Sequence, residues 1–358
     1  MTPDTTPKHT PRATPARTSA APGAPMVTGA VLERLISAAV AAPSIHNTQP
    51  WRYRLDPDTT TVEVRSAPER SLPHADPRRR ALHVSVGAAL FNLRLAARDA
   101  GFEPRVRLLP DPLAHPDLLA RVSLAAPGQP SADTAAEPAE PAELYAALWR
   151  RHSSRMPFSG RPLPPELLVE LVAAARAEGA VAYFPGPEAV DRLLAITAEA
   201  ESRNEASAGR RTESRSWVRA DAPGVTPGRD GVPFSALGPQ DSAERLPMRA
   251  FSDPGPGGRP PDAAFERRPT LAVLATPGDR RADWLRAGQA LERLLLTATA
   301  HSVRTSMLYQ PIEWPDLRAE LARACGLHTR PQMIVRLGYG PEGPATPRLR
   351  LRDVFSPM

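Results

Sequence analysis

Cysteine, lysine and aromatic residues are scarce in this chain, and long apolar runs are absent. The single cysteine, Cys325, excludes an internal disulfide and any metal site made of several cysteines. Aromatic residues make up only 5% of the chain, too few for the basic and aromatic surfaces that bind single-stranded nucleic acid. No stretch reaches the ~18 apolar residues that a membrane span requires. These absences predict a cytoplasmic protein that binds neither a membrane nor nucleic acid.

The charge balance is basic but carries little functional information. Of the 45 basic residues only Lys8 is a lysine, the formal net charge is +6 and the pI is about 10.1. Basic and acidic residues are interleaved along most of the chain, so we attribute the arginine excess mainly to compositional bias. A basic pI permits an anionic partner without requiring one.

The length of 358 residues suggests two domains or one large one, at ~150 residues per domain. Residues 1–25 have no apolar run, which excludes a secretory signal and predicts a disordered tail. The acidic, Pro/Ala-rich segment 127–141 is predicted to link two halves, 26–126 and 142–355. Residues 207–265 are rich in Gly, Pro and Arg and show little periodicity, which predicts a lid or a disordered segment.

Helical and strand patterns alternate in both halves, which predicts an α+β or α/β fold. The first helix begins at Thr28, a typical N-cap residue, and Pro43 ends it, while Gly101 is expected to follow the second helix. The later predicted helices cover 84–100, 142–149, 164–177, 186–206, 282–300 and 315–324, and the predicted strands are WRYRL, TVEVR, VRLLP, ARVSL, VAYF, LAVLAT, SMLYQP and QMIVRLG.

An internal repeat indicates a duplication. A shift of 201 positions aligns 79–110 with 280–311 without a gap, and 10 of the 32 aligned residues are identical. The matched apolar residues recur at helical spacing and therefore share one helix face. A weaker match relates 32–41 to 168–177. Alanine- and leucine-rich helices align easily by chance, but the unbroken register favours two fused, similar halves over a solenoid, which needs at least three repeats.

The two halves differ in a complementary way. The loop 43–51 follows the first-half helix, and only Glu178-Gly179 stands at the equivalent place in the second half. Conversely, the turn Arg150-Arg151-His152-Ser153-Ser154-Arg155 precedes the second-half helix and has no counterpart before the first. Because each half keeps an element that the other lacks, we predict one composite site at the interface between the halves.

These two polar segments are the candidate binding elements. Three guanidiniums and two hydroxyls within 150–155 suit one terminal phosphate, although a solvated basic turn has the same composition. The loop PSIHNTQPW presents donors and acceptors suited to the edge of a heterocycle, although such residues also cap turns. The alternating Arg348, Arg350 and Arg352 are either a second phosphate contact or a basic tail.

Other motifs are rejected. The GxGxxG at 338–343 is not a dinucleotide fingerprint, because Pro341 lies within it and no helix pattern follows. No Walker A or G-x-S-x-G sequence occurs, and the eight histidines show no metal-ligand spacing. We therefore expect no bound metal, and no side chain stands out as a general acid or base.

Taken together, the chain resembles the FMN-dependent nitroreductase-like flavoproteins, and more narrowly the Acg-type subfamily, in which two nitroreductase units are fused. The resemblance covers about 28–355. It is carried by the stretches APSIHNTQPW, RHSSR with the following PLPPELL, GQALERLLLTAT, SMLYQPIEWPDLR and PQMIVRLGYG with the following TPR. It implies an α+β pseudo-dimer formed by internal duplication within one chain, with one FMN between the halves.

The resemblance also implies roles for individual residues. The Arg-x-Ser-x-Arg turn holds the FMN phosphate and ribityl chain in this family, and the Pro-Ser-x-x-Asn loop borders the flavin ring. The residues implied here for the turn are Arg151, His152, Ser153 and Arg155, and those for the loop are Pro43, Ser44, His46, Asn47 and Gln49. The implied ring-edge residues are Met307, Tyr309, Gln310, Pro311 and Ile312, and the implied C-terminal phosphate contact is Arg348 or Arg350.

The implied activity is hydride transfer from NAD(P)H through FMN to a nitroaromatic or quinone-like acceptor. Two departures from the family pattern bear on it. Ser302-Val303 replaces the usual Gly-Leu, and 207–265 has no counterpart in minimal nitroreductases, although Acg-type proteins resemble it in having a lid-like element. The alternative is therefore a lid-closed protein that binds or sequesters FMN with little turnover. A fused pair already contains the dimer interface, so we expect a monomer or a weak homodimer.

Overall fold

The computed structural model shows an α+β fold of two packed halves. The residues that it describes are 26–127, 142–220, 229–251 and 260–357. The predicted tail and nearly all of the predicted linker lie outside these ranges. Within them, no helix combines the length and the apolar character needed to cross a membrane.

The first half contains the predicted helices and strands in the predicted order. Thr28 is the N-cap of the first helix, and its hydroxyl accepts a hydrogen bond from the Val31 amide at 3.3 Å. Gly101, with φ +85°, follows the second helix as predicted. The elements are α1 (Gly29–Val40), β1 (Trp51–Asp56), β2 (Thr61–Ser66), α2 (Arg80–Asp99), β3 (Glu103–Leu108) and β4 (Leu118–Ala125).

The second half contains more helices and strands than the first. Its helices are α3 (Ala142–Leu148), α4 (Pro165–Ala177), α5 (Pro187–Ala206), α6 (Ala208–Ser216), α7 (Arg281–Ala300), α8 (Pro315–Ala324) and α9 (Leu351–Val354). Its strands are β5 (Val181–Tyr183), β6 (Val218–Arg219), β7 (Val232–Pro233), β8 (Gln240–Asp241), β9 (Asp262–Ala263), β10 (Thr270–Thr276), β11 (Arg304–Leu308), β12 (Arg330–Gly338) and β13 (Phe355–Pro357).

Each half forms one main sheet, and the two sheets share a strand order. The order is β13-β1-β2-β4-β3 in the first sheet and β11-β12-β10-β5 in the second. Read from the other edge, the second sheet is β5-β10-β12-β11, which matches β1-β2-β4-β3 in sequence order. This agreement is what a duplication predicts, and the duplication and the domain boundaries drawn from it remain our proposal.

The helices α2 and α7 cross at two glycines. A Cβ on Gly87 would lie 2.2 Å from the Leu285 carbonyl oxygen, and a Cβ on Gly288 would lie 2.0 Å from the Val84 carbonyl oxygen. The two glycines are 201 positions apart, and so are the two carbonyls. The crossing is therefore symmetric, and it lets the two helix backbones touch.

The hydrophobic cores of the halves interlock through this helix pair. Leu285 and Leu296 of α7 belong to the core of the first half, while Ala81 and Val84 of α2 belong to the core of the second. A helix that contributes to both cores cannot separate without exposing apolar surface of each. The interlocking favours one large unit, which is the second of the two possibilities that the length suggested.

The chain end and the lid segment (207–265) differ from the predictions. The helix α6 lies where little periodicity was found, because its sequence AGRRTESRS buries only Glu213 and Ser214 and has no apolar stripe. The end of the chain forms α9 and β13, and β13 pairs in parallel with β1 of the first half. Three residues of strand stabilised by a distant partner leave no periodic signal in the sequence.

We expect His83, at the α2–α7 interface, to make folding stability depend on pH. Burial lowers the pKa of His83 to about 4, and its Nε2 accepts a hydrogen bond from Arg281 Nε at 2.9 Å. Its contribution to stability is therefore fully present above pH ~6.5 and is lost as the pH falls towards 4. The unfolding free energy of His83→Gln, measured with urea, should therefore fall less than that of the unmodified protein as the pH is lowered from ~6.5 to 4. The difference between the two falls should reach up to about 3 kcal/mol.

The exposed His115 provides the matched control. His115→Gln should keep the pH profile of the unmodified protein. Identical profiles for His83→Gln and the unmodified protein would contradict a neutral, accepting His83.

Candidate functional site

The loop after α1 is strained and held from several sides. His46, Asn47 and Gln49 have positive φ angles of 48°, 52° and 50°, a conformation that non-glycine residues adopt only where the surroundings enforce it. The Ser44 hydroxyl accepts a hydrogen bond from the Gln49 amide at 2.9 Å, and the Ser85 hydroxyl accepts one from the Ile45 amide at 3.2 Å. These hydrogen bonds therefore hold the loop in one conformation, which fixes the directions of its side chains.

A cavity lies beside this loop, between the two halves. The helix α2 and the loop contribute the first-half wall, and α7, β11 and the residues after β11 contribute the second-half wall. The lining residues are Pro43, Ser44, Ile45, His46, Ala81, Val84, Ser85, Arg155, Met248, Arg249, Phe251, Leu291, Ser306, Met307, Leu308, Tyr309, Gln310, Glu313 and Met333. A mainly apolar cavity with a few polar groups is typical of a site for an aromatic ligand.

The turn 151–155 runs along the start of β11. The Ser154 amide donates to the Thr305 carbonyl at 2.8 Å, and Ser153 forms an isolated parallel bridge with Thr305. This attachment places Arg155 at the cavity and Arg151 in the interior next to α7. The turn is thus the connection between the cavity and a second, charged part of the site.

That charged part is a buried group, which we call the arginine cluster: Arg151, Arg348, Asn92 and Glu292. Arg151 Nη2 donates to the Ala41 carbonyl at 3.1 Å, and Arg348 Nη2 donates to the same carbonyl at 3.2 Å. The carboxylate of Glu292 lies 3.5 Å from Arg151 Nε. Two cations at the end of α1 and next to α7 therefore share one small, buried volume.

Several polar atoms of the arginine cluster are buried without a hydrogen-bond partner in the part of the chain described. They are Arg151 Nε and Nη1, Arg348 Nε, both amide atoms of Asn92 and both carboxylate oxygens of Glu292. A buried polar atom left unpaired costs about 1–3 kcal/mol. So many in one place indicate a site built to bind a polar group, and the guanidiniums favour an anion.

Electrostatics at the site follow from burial beside other cations. Burial lowers the pKa of Arg348 to about 9, with Arg151 adding to the effect, and burial and Arg249 lower the pKa of Arg155 to about 10. Burial, together with Arg249 and Arg155, also lowers the pKa of His46, whose Nε2 accepts a hydrogen bond from Arg249 Nη1 at 3.3 Å. His46 is therefore neutral at pH 7, and an anion would relieve the crowding of positive charge.

The lid segment packs over the site and uses its polar groups. Asn47 Nδ2 donates to the Gly231 carbonyl at 2.9 Å, and Gln49 Nε2 donates to the Arg229 carbonyl at 2.8 Å. On the other side of the loop, Asn47 Oδ1 accepts from Arg348 Nη1 at 3.1 Å. The loop after α1 therefore joins the lid segment to the arginine cluster.

Further lid contacts reach the cavity itself. Arg155 Nη1 donates to the Ala236 carbonyl at 2.7 Å. Arg249 is hydrogen-bonded to the buried Glu313, which also accepts from Arg210 at 2.7 Å. The Phe251 ring packs edge-on against His46 at a centroid distance of 5.3 Å. The lid segment therefore forms part of the cavity wall.

The structure brings together most of the predicted site residues. Pro43, Ser44, His46, Arg155, Met307, Tyr309 and Gln310 line the cavity, and Asn47 and Gln49 bind the lid segment. Arg151 and Arg348 form the arginine cluster, His152 and Ser153 are half-buried beside it, and Pro311 and Ile312 are buried behind the cavity wall.

Arg350 departs from its prediction. It is exposed, and its backbone amide donates to Asp353 at 3.0 Å at the start of α9. The alternation of arginines would place them on one face only in an extended chain. Because a helix begins at Leu351, Arg348 points inward and Arg350 does not.

Sequence reasoning missed Arg249, Phe251 and Glu313 at the cavity and Asn92 and Glu292 in the arginine cluster. One signal was available for Glu292. Under the shift of 201 positions it aligns with Phe91, so a charge stands where the first repeat has a buried aromatic residue. A lone acidic residue on the buried face of a helix indicates a partner or a function.

The chain is similar to several known proteins. A family model described as the nitroreductase family matches residues 148–339. The chain is 35% identical over 328 residues to Rv3131 of Mycobacterium tuberculosis, named as an NAD(P)H nitroreductase, with 89% of each chain covered. It is 29% identical to acg of the same organism, named likewise, over 92% of this chain and 96% of that one.

Among solved structures, the chain is similar to a protein from Anabaena variabilis that carries a nitroreductase name. The TM-score is 0.46 at 13% identity, covering 87% of this chain and 88% of that chain. A nitroreductase with bound FMN from Bacteroides fragilis covers 57% of this chain and 91% of its own, with a TM-score of 0.35 at 14% identity.

Proposed function

Because this chain belongs to the nitroreductase family, we propose that it is an FMN-binding, NAD(P)H-dependent oxidoreductase whose acceptor is a nitroaromatic or quinone-like compound. The family resemblance drawn from its loop and turn motifs is thereby confirmed. The NAD(P)H donor is suggested by the names of its relatives. The observation that supports the cofactor most strongly is that Arg151 Nη1 and Arg348 Nε are buried without a hydrogen-bond partner among the described residues, and that the turn carrying Arg151 also places Arg155 at a cavity formed by both halves.

The residues of the site fit the two ends of FMN. Arg151 and Arg348 offer buried donors to a phosphate, which guanidinium groups bind through a planar fork. The cavity offers apolar walls to a flavin ring, with Ser44, Ser85 and Gln310 among its polar groups. Bound FMN would supply the hydride-transfer chemistry of this family, between NAD(P)H and the acceptor.

The side chains of the site would orient the cofactor and shield it from water, without taking part in the reaction themselves. The strained loop fixes His46 against Phe251, and the neutral imidazole adds no charge beside the ring site. Met248, Arg249 and Phe251 exclude water from one side of the cavity. The cations of the arginine cluster provide a positive potential that favours the phosphate over its solvated state.

We propose one such site per chain. At the place in the second half that corresponds to the end of α1, Glu178 follows α4. Arg94 Nη1 lies 2.6 Å from Glu178 Oε2, and Arg293 Nη1 lies 3.0 Å from Glu178 Oε1. A carboxylate therefore already pairs with the arginines where a second phosphate would be expected.

The lid contacts support a second candidate function, the sequestering of FMN with little turnover. Asn47, Gln49 and Arg155 all donate to lid carbonyls. A ligand or acceptor that needs these groups has to displace the lid segment. Asp230 secures that segment from outside the cavity, since its carboxylate pairs with Arg70 at 2.9 Å and with Arg219 at 3.0 Å.

Absorbance spectra and turnover test both candidates. The full-length protein, purified and loaded with FMN, should show the visible bands of bound flavin. If it is an oxidoreductase, NAD(P)H oxidation should depend on a nitroaromatic or quinone, and Asp230→Ala should raise the rate by loosening the lid segment. If it stores FMN, Asp230→Ala should speed FMN release, and turnover should stay near background.

The control is Asp316→Ala, which removes an exposed ion pair with Arg203 elsewhere and should change neither rate. A protein that binds no FMN after loading would refute both functions. Equal FMN release and turnover rates for Asp230→Ala and the unmodified protein would refute the role of the lid segment in either.

A further inference from the structure

Glu292 is the one acidic residue of the arginine cluster, and its position is unusual. Its side chain is fully buried on α7, and its carboxylate lies 3.5 Å from Arg151 Nε, longer than a normal hydrogen bond. The Asn92 amide on α2 faces it, as do the guanidiniums of Arg151 and Arg348. A buried carboxylate placed directly beside an anion site repels the anion, so its presence needs a reason.

Counting charges gives that reason. Two guanidiniums and one carboxylate carry a net charge of +1, and a phosphate dianion would change this to −1 inside a buried volume. Like charges in such a volume repel strongly, because little water is present to screen them. Protonation of the carboxylate removes that repulsion and leaves the cluster neutral.

We propose that Glu292 takes up one proton from solvent when the phosphate group of FMN binds between Arg151 and Arg348, and returns it when the cofactor leaves. This rests on the proposed function. One H⁺ passes from the buffer to a Glu292 oxygen for each FMN bound, and no bond of FMN changes. Burial already raises the pKa of Glu292, and its arginine neighbours oppose this effect, so phosphate neutralising those arginines raises the pKa further.

The other groups around Glu292 define the pH range in which this uptake can be isolated. His152 is neutral above pH 7, because burial and the arginines lower its pKa. Arg348, whose pKa is about 9, keeps most of its charge up to pH 8.5. Asn92 does not titrate, and the second ionisation of a phosphate monoester, near pH 6, is complete above pH 7. Between pH 7 and 8.5, proton uptake on binding therefore reports on Glu292.

Calorimetry on the unmodified protein measures this uptake. FMN is titrated into flavin-free protein at pH 7.0, 7.75 and 8.5, in buffers of different ionisation enthalpy and without inorganic phosphate. We expect uptake approaching one proton per FMN and an affinity that falls up to tenfold per pH unit. Riboflavin, which lacks the phosphate, should bind without proton uptake.

The variant Glu292→Gln separates this carboxylate from every other group. It should bind FMN without proton uptake, with an affinity independent of pH over this range and about tenfold tighter than the unmodified protein at pH 8.5. The matched control is Glu178→Gln, since Glu178 is also buried and paired with two arginines. It should keep the proton uptake of the unmodified protein.

Two outcomes overturn the proposal while leaving FMN binding intact. One is FMN binding by the unmodified protein with no proton uptake at any of the three pH values. The other is the same uptake in Glu292→Gln as in the unmodified protein. Failure to bind FMN at all would instead refute the proposed function, and this inference with it.

Discussion

Replacing Gly288 with alanine is expected to cost at least about 3 kcal/mol of folding stability, measured by urea unfolding with circular dichroism. The added Cβ would lie 2.0 Å from the Val84 carbonyl oxygen and 2.8 Å from the Ala88 amide nitrogen. Both atoms belong to the backbone of α2, so no side chain can rotate away. The two helices have to separate, which disturbs the cores of both halves.

Gly29, the first residue of α1, provides the control, because nothing lies within 4 Å of its added Cβ. Gly29→Ala should be neutral or slightly stabilising. Gly87→Ala should resemble Gly288→Ala, since its Cβ would lie 2.2 Å from the Leu285 carbonyl oxygen. The double variant should cost less than the sum of the two, because the helices separate only once. A Gly288→Ala protein of unchanged stability would contradict the close crossing.

Arg151→Ala is expected to weaken FMN binding by about 5- to 150-fold, or ~1–3 kcal/mol, in flavin fluorescence titrations at pH 7. The change removes a guanidinium whose Nη1 is buried without a hydrogen-bond partner among the described residues. It also leaves Glu292 without its nearest cation, at 3.5 Å. Riboflavin binding should change much less, since riboflavin has no phosphate to contact.

The neighbouring Arg150 is exposed and provides a matched control of the same charge. Arg150→Ala should leave FMN affinity within about twofold, because an exposed cation is screened by solvent. Arg151→Lys should recover part of the affinity, since it restores the charge but not the planar fork. Equal FMN affinities for Arg150→Ala and Arg151→Ala would reject Arg151 as the phosphate contact.

The elements that local pattern determines could be predicted from the sequence. The amphipathic helix of α1, with Thr28 before it and Pro43 after it, needs no distant partner to be recognised. The repeat pointed to the helix pair α2 and α7, and the loop and turn motifs supplied the residues Pro43, Ser44 and Arg151 that lie at the site. Local geometry also explains why the family usually has glycine where this chain has Ser302, since the residue there adopts φ +58°, which glycine favours.

The residues that were missed depend on contacts between distant segments. Arg249 reaches Glu313 and His46 only because the lid segment folds back over the cavity. The strand β13 exists only because β1 offers it an edge in the other half. Neither arrangement leaves a periodic pattern, since contact partners 64 to about 300 residues away are invisible in a local window.

The sequence alone indicated the fold class and the order of the main helices and strands, because both follow from local spacing and residue type, and its motifs carried the family resemblance and the two segments of the site. Only the tertiary structure decided that Arg348 rather than Arg350 turns inward, that the lid segment binds the loop after α1, and that Glu292 faces two arginines. The physical reason is burial. The residue type fixes the charge and the hydrogen-bonding capacity of a side chain. Their contribution to the free energy depends on which other groups lie in the same water-excluded volume.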